Sequence, residues 1–350
     1  MNSPYSGLPK RAYWRSGVAE RAPLDPGDLY QPRFEVGMST RVATAGSCFA
    51  QHVGRALRGA GLDVIDAEPL PDAVPDSVAT GFGYRLYSAR YGNIYTARQL
   101  LQLVREAEGQ VTPADPVWTR DGRYYDAQRP SVEPGGLDSA ESVQAHRAGH
   151  LAAIRSILRQ ADLFVFTFGL TECWMHRDSG TVFPTAPGTL AGTYDPEHYV
   201  FKNFDAIEVL EDFEAFRSLA KTINPGLRFL VTVSPVPLTA TASGQHVEVA
   251  TSYSKSVLRA VTGMLYARHE DIDYFPSYEV ITALNTRGAY YDANQRNVNA
   301  RGVATAMQMF LGAHRLDTTG RGGAVQARNG NFGKAADIVC EDALLEAFAQ

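Results

Sequence analysis

Ser47 lies in a stretch of sequence whose residue types and spacing suit nucleophilic catalysis. Gly46 and Ser47 end the short apolar run 40–45 and precede residues 48–60, which carry apolar side chains at helical spacing. At a strand-to-helix junction, backbone amides such as that of Cys48 and the positive end of the helix dipole stabilise an oxyanion. The pattern predicts a serine nucleophile, with a helix N-cap as the alternative because serine is a preferred N-cap residue.

Strands and helices alternate along the rest of the sequence. Two unbroken apolar runs, residues 163–168 and 228–233, predict strands that are buried on both faces, as in a parallel sheet covered by helices. Shorter runs at 62–67 and 272–275 predict further strands, and helical patterns occupy residues 140–160, 205–222, 252–268 and 299–313. The alternation predicts an α/β fold with a doubly wound parallel sheet and helices on both faces.

Three regions are predicted along the chain. Residues 1–38 carry Pro, Gly and Tyr without periodicity and predict an extended N-terminal arm packed on the domain, because aromatic residues such as Tyr13 and Trp14 favour burial. Residues 39–315 form the α/β domain. Residues 316–350 begin as a glycine-rich linker and end in residues 335–348, which predict a short C-terminal helix.

Three charged residues occupy positions from which they could serve the site. Glu172 follows the predicted strand 163–168, so it is expected to orient a base or bind substrate hydroxyl groups, with an exposed loop acid as the alternative. Lys255 lies early in a helical pattern and could bind an anionic group, unless it belongs to a solvated helix face. Glu279 follows the last predicted strand, where it could orient a catalytic base.

Six segments of the chain occur in the order found in one known family. They are residues 46–50 (Gly-Ser-Cys-Phe-Ala), 91–96, 166–172, 234–238, 254–259 and 274–279. Together they resemble the GSCFA family, which is grouped with the SGNH/GDSL hydrolases, over residues 1–314. The resemblance implies a flavodoxin-like, SGNH-type three-layer α/β fold with Ser47 as the nucleophile.

The SGNH hydrolases carry four sequence blocks, and three of them have counterparts here. The resemblance implies that the oxyanion and substrate contacts include Gly46, Cys48, Gly92, Asn93, Gly169, Thr171 and Glu172. Gly92 would let the backbone approach a ligand closely, although a turn glycine is the alternative. Thr171 stands where the family pattern has asparagine, and its hydroxyl donates one hydrogen bond where an amide donates two.

The fourth block departs from the pattern. Asn297 stands where an SGNH hydrolase has its histidine, and Asn294 stands where the aspartate is expected. Asparagine cannot accept the serine proton, and serine is a weak nucleophile without a base. Two explanations stay open: another histidine serves as the base, or the chain has lost hydrolysis and binds an acyl or glycan ligand through Arg296 and Asn297.

Two histidines are candidates for the base, because a catalytic triad is defined by geometry and not by sequence position. His246 ranks first, since a short loop places it after the strand 228–233 at the active-site edge of the sheet, and His150 ranks second. His146 and His150 have the i, i+4 spacing of metal ligands, but no neighbouring acid completes a zinc motif, so no metal site is predicted.

The composition argues against several classes of protein. A net charge of −5 leaves no basic footprint for nucleic acid, and no apolar run approaches the roughly 20 residues that cross a bilayer. The three cysteines form no C-x-x-C pair and the first ten residues lack a signal-peptide core, so a bacterial-type cytoplasmic location is expected. No cofactor is predicted, and the oligomeric state is left open.

These residues together predict an acyl-transfer enzyme, an esterase or an O-acyltransferase, that works through an ester on Ser47. The expected substrate is an O-acyl group, acetyl in the simplest case, on a carbohydrate or another small polar molecule. An acyl donor is a further partner if the reaction is transfer, since water and a second hydroxyl group can both attack the ester. The alternative is a ligand-binding protein without the catalytic histidine.

Overall fold

The computed structural model describes residues 3–316 and 341–349, and a parallel sheet forms its centre. The described residues form strands in three sheets. The strands are β1 Val42–Gly46, β2 Val117–Arg120, β3 Arg123–Asp126, β4 Leu163–Phe168, β5 Glu172–His176, β6 Val182–Phe183, β7 Tyr199–Asn203, β8 Arg228–Val233 and β9 Ile272–Tyr274. The α-helices are α1 Phe49–Gly59, α2 Asp76–Gly81, α3 Ala97–Ala107, α4 Ala140–Gln160, α5 Ala206–Ile223, α6 Val247–Arg268, α7 Ser277–Thr282 and α8 Ala300–Ala313. The central sheet has the strand order β1-β4-β8-β9, all parallel.

The central sheet is buried on both faces. In β4, Phe164, Phe166 and Phe168 pack in a core with helices α3, α4, α5 and α6. Leu163 and Val165 alternate with them and pack in a second core with α1, α7 and α8. This two-residue period is what a strand buried between two helix layers requires. The structure therefore confirms the predicted α/β fold with a parallel sheet and helices on both faces.

A small antiparallel sheet adjoins the carboxyl end of β4. Its order is β6-β5-β7, and β5 begins at Glu172, four residues after β4 ends at Phe168. Trp174 of β5 pairs with Phe183 of β6 and Phe201 of β7. Because side chains alternate along a strand, Glu172 and Trp174 lie on the same face of this sheet. The hairpin β2–β3 forms a separate two-stranded sheet.

The prediction of a strand over residues 62–67 is wrong. Within that segment Val64 makes an isolated parallel bridge to Val42, and no strand forms. The physical reason is that another segment takes the rest of this edge of β1. The amides of Ser88 and Ile94 donate to carbonyl oxygens of β1, at 3.2 and 2.9 Å. The chain that carries Gly92 and Asn93 therefore runs beside the end of β1.

The second half of the N-terminal arm is tied to the domain through Tyr30. This side chain is buried, its hydroxyl donates to Asp273 Oδ2 at 2.8 Å, and it lies 3.1 Å from His314 Nε2. The amide of Val36 donates to His314 Nδ1 at 3.3 Å. These contacts join residues distant in sequence, so they fix the path of the arm over β9 and α8.

The first half of the arm leaves its aromatic residues exposed, contrary to expectation. Tyr13 and Trp14 expose 41% and 68% of their surface. The two short helical turns here, Lys10–Ala12 and Arg15–Ala19, contain no buried residue. At the other end, Glu341–Phe348 forms a 3₁₀ helix. The predicted linker and residues 335–340 of the predicted helix lie outside the described residues.

Candidate active site

Ser47 lies at the carboxyl end of β1, immediately before α1. Gly46 ends the strand with φ +135°, and a Cβ there would lie 2.5 Å from the carbonyl oxygen of Thr167 on β4. Only glycine therefore permits this turn. The amide of Ser47 donates to the same Thr167 oxygen at 3.1 Å, which anchors the serine at the edge where ligands of parallel α/β sheets bind.

The Ser47 hydroxyl is buried without a hydrogen-bond partner. The residue is 2% exposed, and Oγ has no partner among the residues that the structure describes. A buried polar group without a hydrogen bond costs free energy, so native structures contain few of them. The unpaired hydroxyl at the ligand-binding edge of the sheet marks Ser47 as the candidate reactive group of this site.

Two backbone amides follow Ser47 at the start of α1. Cys48 precedes α1 in helical conformation, and within the described chain no hydrogen bond uses the amides of Cys48 or Phe49. Amides in the first turn of a helix are natural donors to anions. Gly92 adopts φ +70°, a left-handed conformation that favours glycine and brings the backbone beside β1. The segments that carry Ser47 and Gly92 are therefore adjacent in space.

A buried polar network orients Asn93 below Ser47. The Tyr87 hydroxyl donates to Asn93 Oδ1 at 2.5 Å, with the Ser47 carbonyl oxygen as a second neighbour at 3.2 Å. Gln51 Nε2 of α1 donates to Asn93 Oδ1 at 3.3 Å. Because the oxygen accepts these bonds, the Nδ2 group of Asn93 points away from Tyr87 and Gln51.

The end of β4 supplies the third side of the site. A Cβ on Gly169 would lie 2.7 Å from Ser47 Cβ, so the glycine packs directly against the serine. The amides of Gly169 and Leu170 both donate to the Tyr95 carbonyl oxygen, at 3.1 and 3.0 Å. Because these two amides are already hydrogen-bonded, Gly169 does not donate to an oxyanion as predicted. Its lack of a side chain instead makes room for Ser47. Thr171 Oγ1 is buried without a partner in the described residues.

Helix α6 is fastened to this strand end by two side chains. Ser254 Oγ accepts the amide of Thr171 at 3.1 Å. Lys255 Nζ donates to the carbonyl oxygen of Gly169 at 2.7 Å, and the lysine is 3% exposed. Lysine is seldom buried this deeply. The alternative of a solvated helix face does not hold for Lys255, because the side chain points into the protein.

A small pocket lies at the face of the antiparallel sheet, and its lining begins at Leu170, the residue after Gly169. It has a volume of about 210 Å³ and is lined by Leu170, Glu172, Trp174, Phe201, Leu238, Thr241 and Leu345, among others. Thr241 Oγ1 donates to Glu172 Oε1 at 2.8 Å, and burial raises the pKa of this carboxyl group. The pocket therefore combines aromatic and aliphatic walls with one carboxyl group.

The structure does not bring His246 or Glu279 into contact with Ser47. His246 is exposed, and its Nδ1 caps α6 by accepting the amide of Glu248 at 3.2 Å. Glu279 pairs with Arg259 at 2.5 Å and follows β9, three strands from β1. Strands lie 4.7–4.9 Å apart, so β9 is about 14 Å from β1.

His150 belongs to a buried charge network, and its ring lies 5.7 Å from that of Tyr91. Its Nδ1 lies 2.7 Å from Glu68 Oε2, which also accepts the amide of Arg90 at 2.6 Å. Burial, and then the charge of Arg129, lower the pKa of His150 to about 4, so the imidazole is neutral at pH 7. No hydrogen bond of the described residues joins it to Ser47.

Asn297 lies in a tight turn before α8. Asn294 Oδ1 accepts the amides of Arg296 and Asn297, both at 3.0 Å. Asn294 thus serves the turn with its side chain, as asparagine commonly does. The hydroxyl of Tyr291 donates to the Pro235 carbonyl oxygen at 2.8 Å, which ties the turn to the carboxyl end of β8. Arg296 is buried and Asn297 is half-buried.

Residues 3–316 and 341–349 contain no cluster of three His, Cys, Asp or Glu side chains that could hold a metal ion. In the same part of the chain, the helices are too short or too polar to cross a membrane.

Sequence reasoning missed Gln51, Thr241 and the hydrogen-bonding role of Tyr87, all of which contact predicted site residues. One signal was available for Gln51, a polar residue in the first turn of α1 on its apolar face. Tyr87 and Thr241 carry no local signal, because their contacts join segments 6 to 69 residues apart.

Comparison with known protein families gives one result. The model of the GSCFA family matches residues 41–310, which include every residue of the site just described except Leu345. No curated protein matches the chain.

Proposed function

The chain belongs to the GSCFA family, and from the geometry around Ser47 we propose that it is a serine-dependent acyl-transfer enzyme. One observation carries the proposal. The Ser47 hydroxyl is buried and unpaired among the described residues, at the carboxyl end of a parallel strand and beside the amides of Cys48 and Phe49. A nucleophile with adjacent oxyanion donors is the arrangement that acyl transfer needs.

The reaction has two halves. Ser47 Oγ attacks the acyl carbonyl carbon and loses its proton to a base, while the carbonyl oxygen becomes an oxyanion near the amides of Cys48 and Phe49. The bond to the leaving oxygen then breaks, that oxygen takes the proton, and an ester on Ser47 remains. Water or an acceptor hydroxyl attacks this ester in the second half and regenerates Ser47.

The pocket beside Leu170 supports a carbohydrate or another small hydroxylated molecule as the substrate. Trp174 and Phe201 offer aromatic surfaces on one wall. Glu172 and the Thr241 hydroxyl provide hydrogen-bonding groups for substrate hydroxyls. Esterase and O-acyltransferase activity differ only in the acceptor, and an acyl donor is a partner in the second case.

We further propose that the family relationship extends to the SGNH/GDSL hydrolases and that the protein works in the cytoplasm. The position of Ser47 after the first strand and the adjacent Gly92 and Gly169 segments support the first point. Cys48 and Cys173 are free thiols, which fits the second point. The second candidate function is a ligand-binding protein, and Asn297 in the histidine position favours it.

The test compares the wild-type protein with Ser47→Ala. We expect hydrolysis of p-nitrophenyl acetate and labelling by a fluorophosphonate in the wild type, and neither in the variant. Ser88→Ala is the matched control, since Ser88 is a fully buried serine whose Oγ accepts the amide of Thr44 at 2.9 Å. It should lose some stability and keep labelling. Equal labelling of wild type and Ser47→Ala would leave the ligand-binding function.

A further inference from the structure

Lys255 and Ser47 lie against the same glycine. Lys255 Nζ donates to the Gly169 carbonyl oxygen at 2.7 Å. Ser47 Cβ would be 2.7 Å from a Cβ on Gly169, so the serine packs against the glycine Cα. No side chain stands on Gly169 to separate the amine from the hydroxyl. Ser47 Oγ makes no hydrogen bond to Nζ in the described residues, and the two side chains are linked through Gly169, which both of them contact.

The position of Lys255 is held rigidly. Its neighbour Ser254 accepts the amide of Thr171, so α6 is bonded to the end of β4 at two successive residues. Both contacts are buried, and Lys255 is 3% exposed. A side chain held by packing and hydrogen bonds in this way meets the demand for precise placement of a catalytic group.

We propose that Lys255 is the general base that activates Ser47, an inference that rests on the proposed acyl-transfer function. The neutral amine has a lone pair for the Ser47 proton and keeps two N–H groups, one of which can go on donating to Gly169. As Oγ bonds to the acyl carbon, Nζ takes the proton. When the carbon–oxygen bond to the leaving group breaks, the ammonium returns this proton to the leaving oxygen.

Two physical arguments support this role. Removal of a lysine from water disfavours its charged form, which is the reason that buried lysines serve as bases. Serine–lysine pairs are a recognised variant of the serine–histidine arrangement. With Asn297 in the histidine position, His246 on the surface and His150 hydrogen-bonded to Glu68, Lys255 is the candidate base that contacts the residue against which Ser47 packs.

The test uses Lys255→Met and Lys255→Arg in the full chain. We expect kcat/KM for p-nitrophenyl acetate and the rate of fluorophosphonate labelling of Ser47 to fall about 10²- to 10⁴-fold in both. Arginine keeps the charge and a donor for Gly169 but cannot accept a proton. Lys221→Met is the matched control, because Lys221 also donates to a backbone carbonyl, that of Leu227, at 3.0 Å.

Added ethylamine supplies an independent readout. It should restore part of the labelling rate of Lys255→Ala, which leaves space for a small amine, and should not change the control. Near wild-type rates in Lys255→Arg would overturn the proposal in favour of a purely electrostatic role. Absence of rescue by ethylamine in a folded Lys255→Ala protein would also overturn the proposal. A loss of labelling in His246→Ala or His150→Ala as large as that in Lys255→Met would overturn it as well.

Failure of the proposed acyl-transfer function gives a different result from failure of the Lys255 assignment. In that case the wild-type protein itself shows no hydrolysis or labelling that depends on Ser47. Circular dichroism and thermal unfolding show whether each variant is folded. If Lys255→Met does not fold, Lys255→Arg and the ethylamine experiment decide the assignment.

Discussion

Substitution of Gly169 by alanine tests the packing that positions the Ser47 side chain. The backbone of Gly169 is outside the left-handed region, so alanine meets no conformational penalty there. The added Cβ would lie 2.7 Å from Ser47 Cβ and 3.1 Å from the Tyr95 carbonyl oxygen. Carbon atoms prefer about 3.5–4.0 Å, so the two groups must separate by about 1 Å.

This overlap sets the size of the effect. Overpacking of a buried site costs about 1–3 kcal/mol in the free energy of unfolding. A displacement of about 1 Å at a reacting group can lower the rate about 10²-fold. We therefore expect Gly169→Ala to remain folded, with a moderate loss of stability and a much larger loss of activity.

Two measurements check this expectation: urea unfolding for stability and fluorophosphonate labelling of Ser47 for activity. Gly149→Ala is the matched control, because Gly149 lies within α4 and a Cβ there meets nothing within 4 Å. It should increase the free energy of unfolding by about 0.5–1 kcal/mol and leave labelling unchanged. Wild-type labelling in Gly169→Ala would refute the packing argument, since it would mean that Ser47 tolerates the displacement.

Two further predictions concern pH and substrate. Burial lowers the pKa of His314 to about 4 from the ordinary 6.5. Between these two pH values His314 is protonated in the unfolded chain and neutral in the folded protein. The free energy of unfolding should therefore fall as the pH drops from 6.5 towards 4. His314→Gln should flatten this dependence in urea unfolding, and an unchanged slope would contradict it. Glu172→Ala should lower kcat/KM for 6-O-acetylglucose about 10-fold, because a hydrogen bond to a substrate hydroxyl is lost. It should leave the hydrolysis of p-nitrophenyl acetate unchanged. Equal losses of activity on both substrates would refute substrate binding by Glu172.

The strands of the central sheet could be predicted from local sequence. The apolar runs at 163–168 and 228–233 coincide with β4 and β8, because strands buried on both faces need apolar side chains at every position. Residues 62–67 have a similar local pattern but form no strand. Their pairing partner on β1 is shared with residues near Ser88, and local sequence contains no information on that competition.

The position of the candidate nucleophile, Ser47, could also be predicted from the sequence. Gly46 and Ser47 stand between a strand and a helix, and both elements have clear periodicity. The GSCFA resemblance, confirmed over residues 41–310, depends on short motifs of this local kind. Strand-end and helix-start signals act within a few residues, which is the range over which sequence patterns are most informative.

The surroundings of Ser47 were decided by tertiary structure. Lys255 was predicted to meet an anionic ligand, yet it donates to a carbonyl oxygen of Gly169, 86 residues away in sequence. His246, placed at the site by loop length, caps a helix on the surface. Which side chain reaches the serine depends on how α6 packs against β4. Packing of that kind follows from the whole core and not from any local pattern. Local sequence therefore identified Ser47 as the candidate nucleophile, and the packing of the fold decided which side chains lie near it.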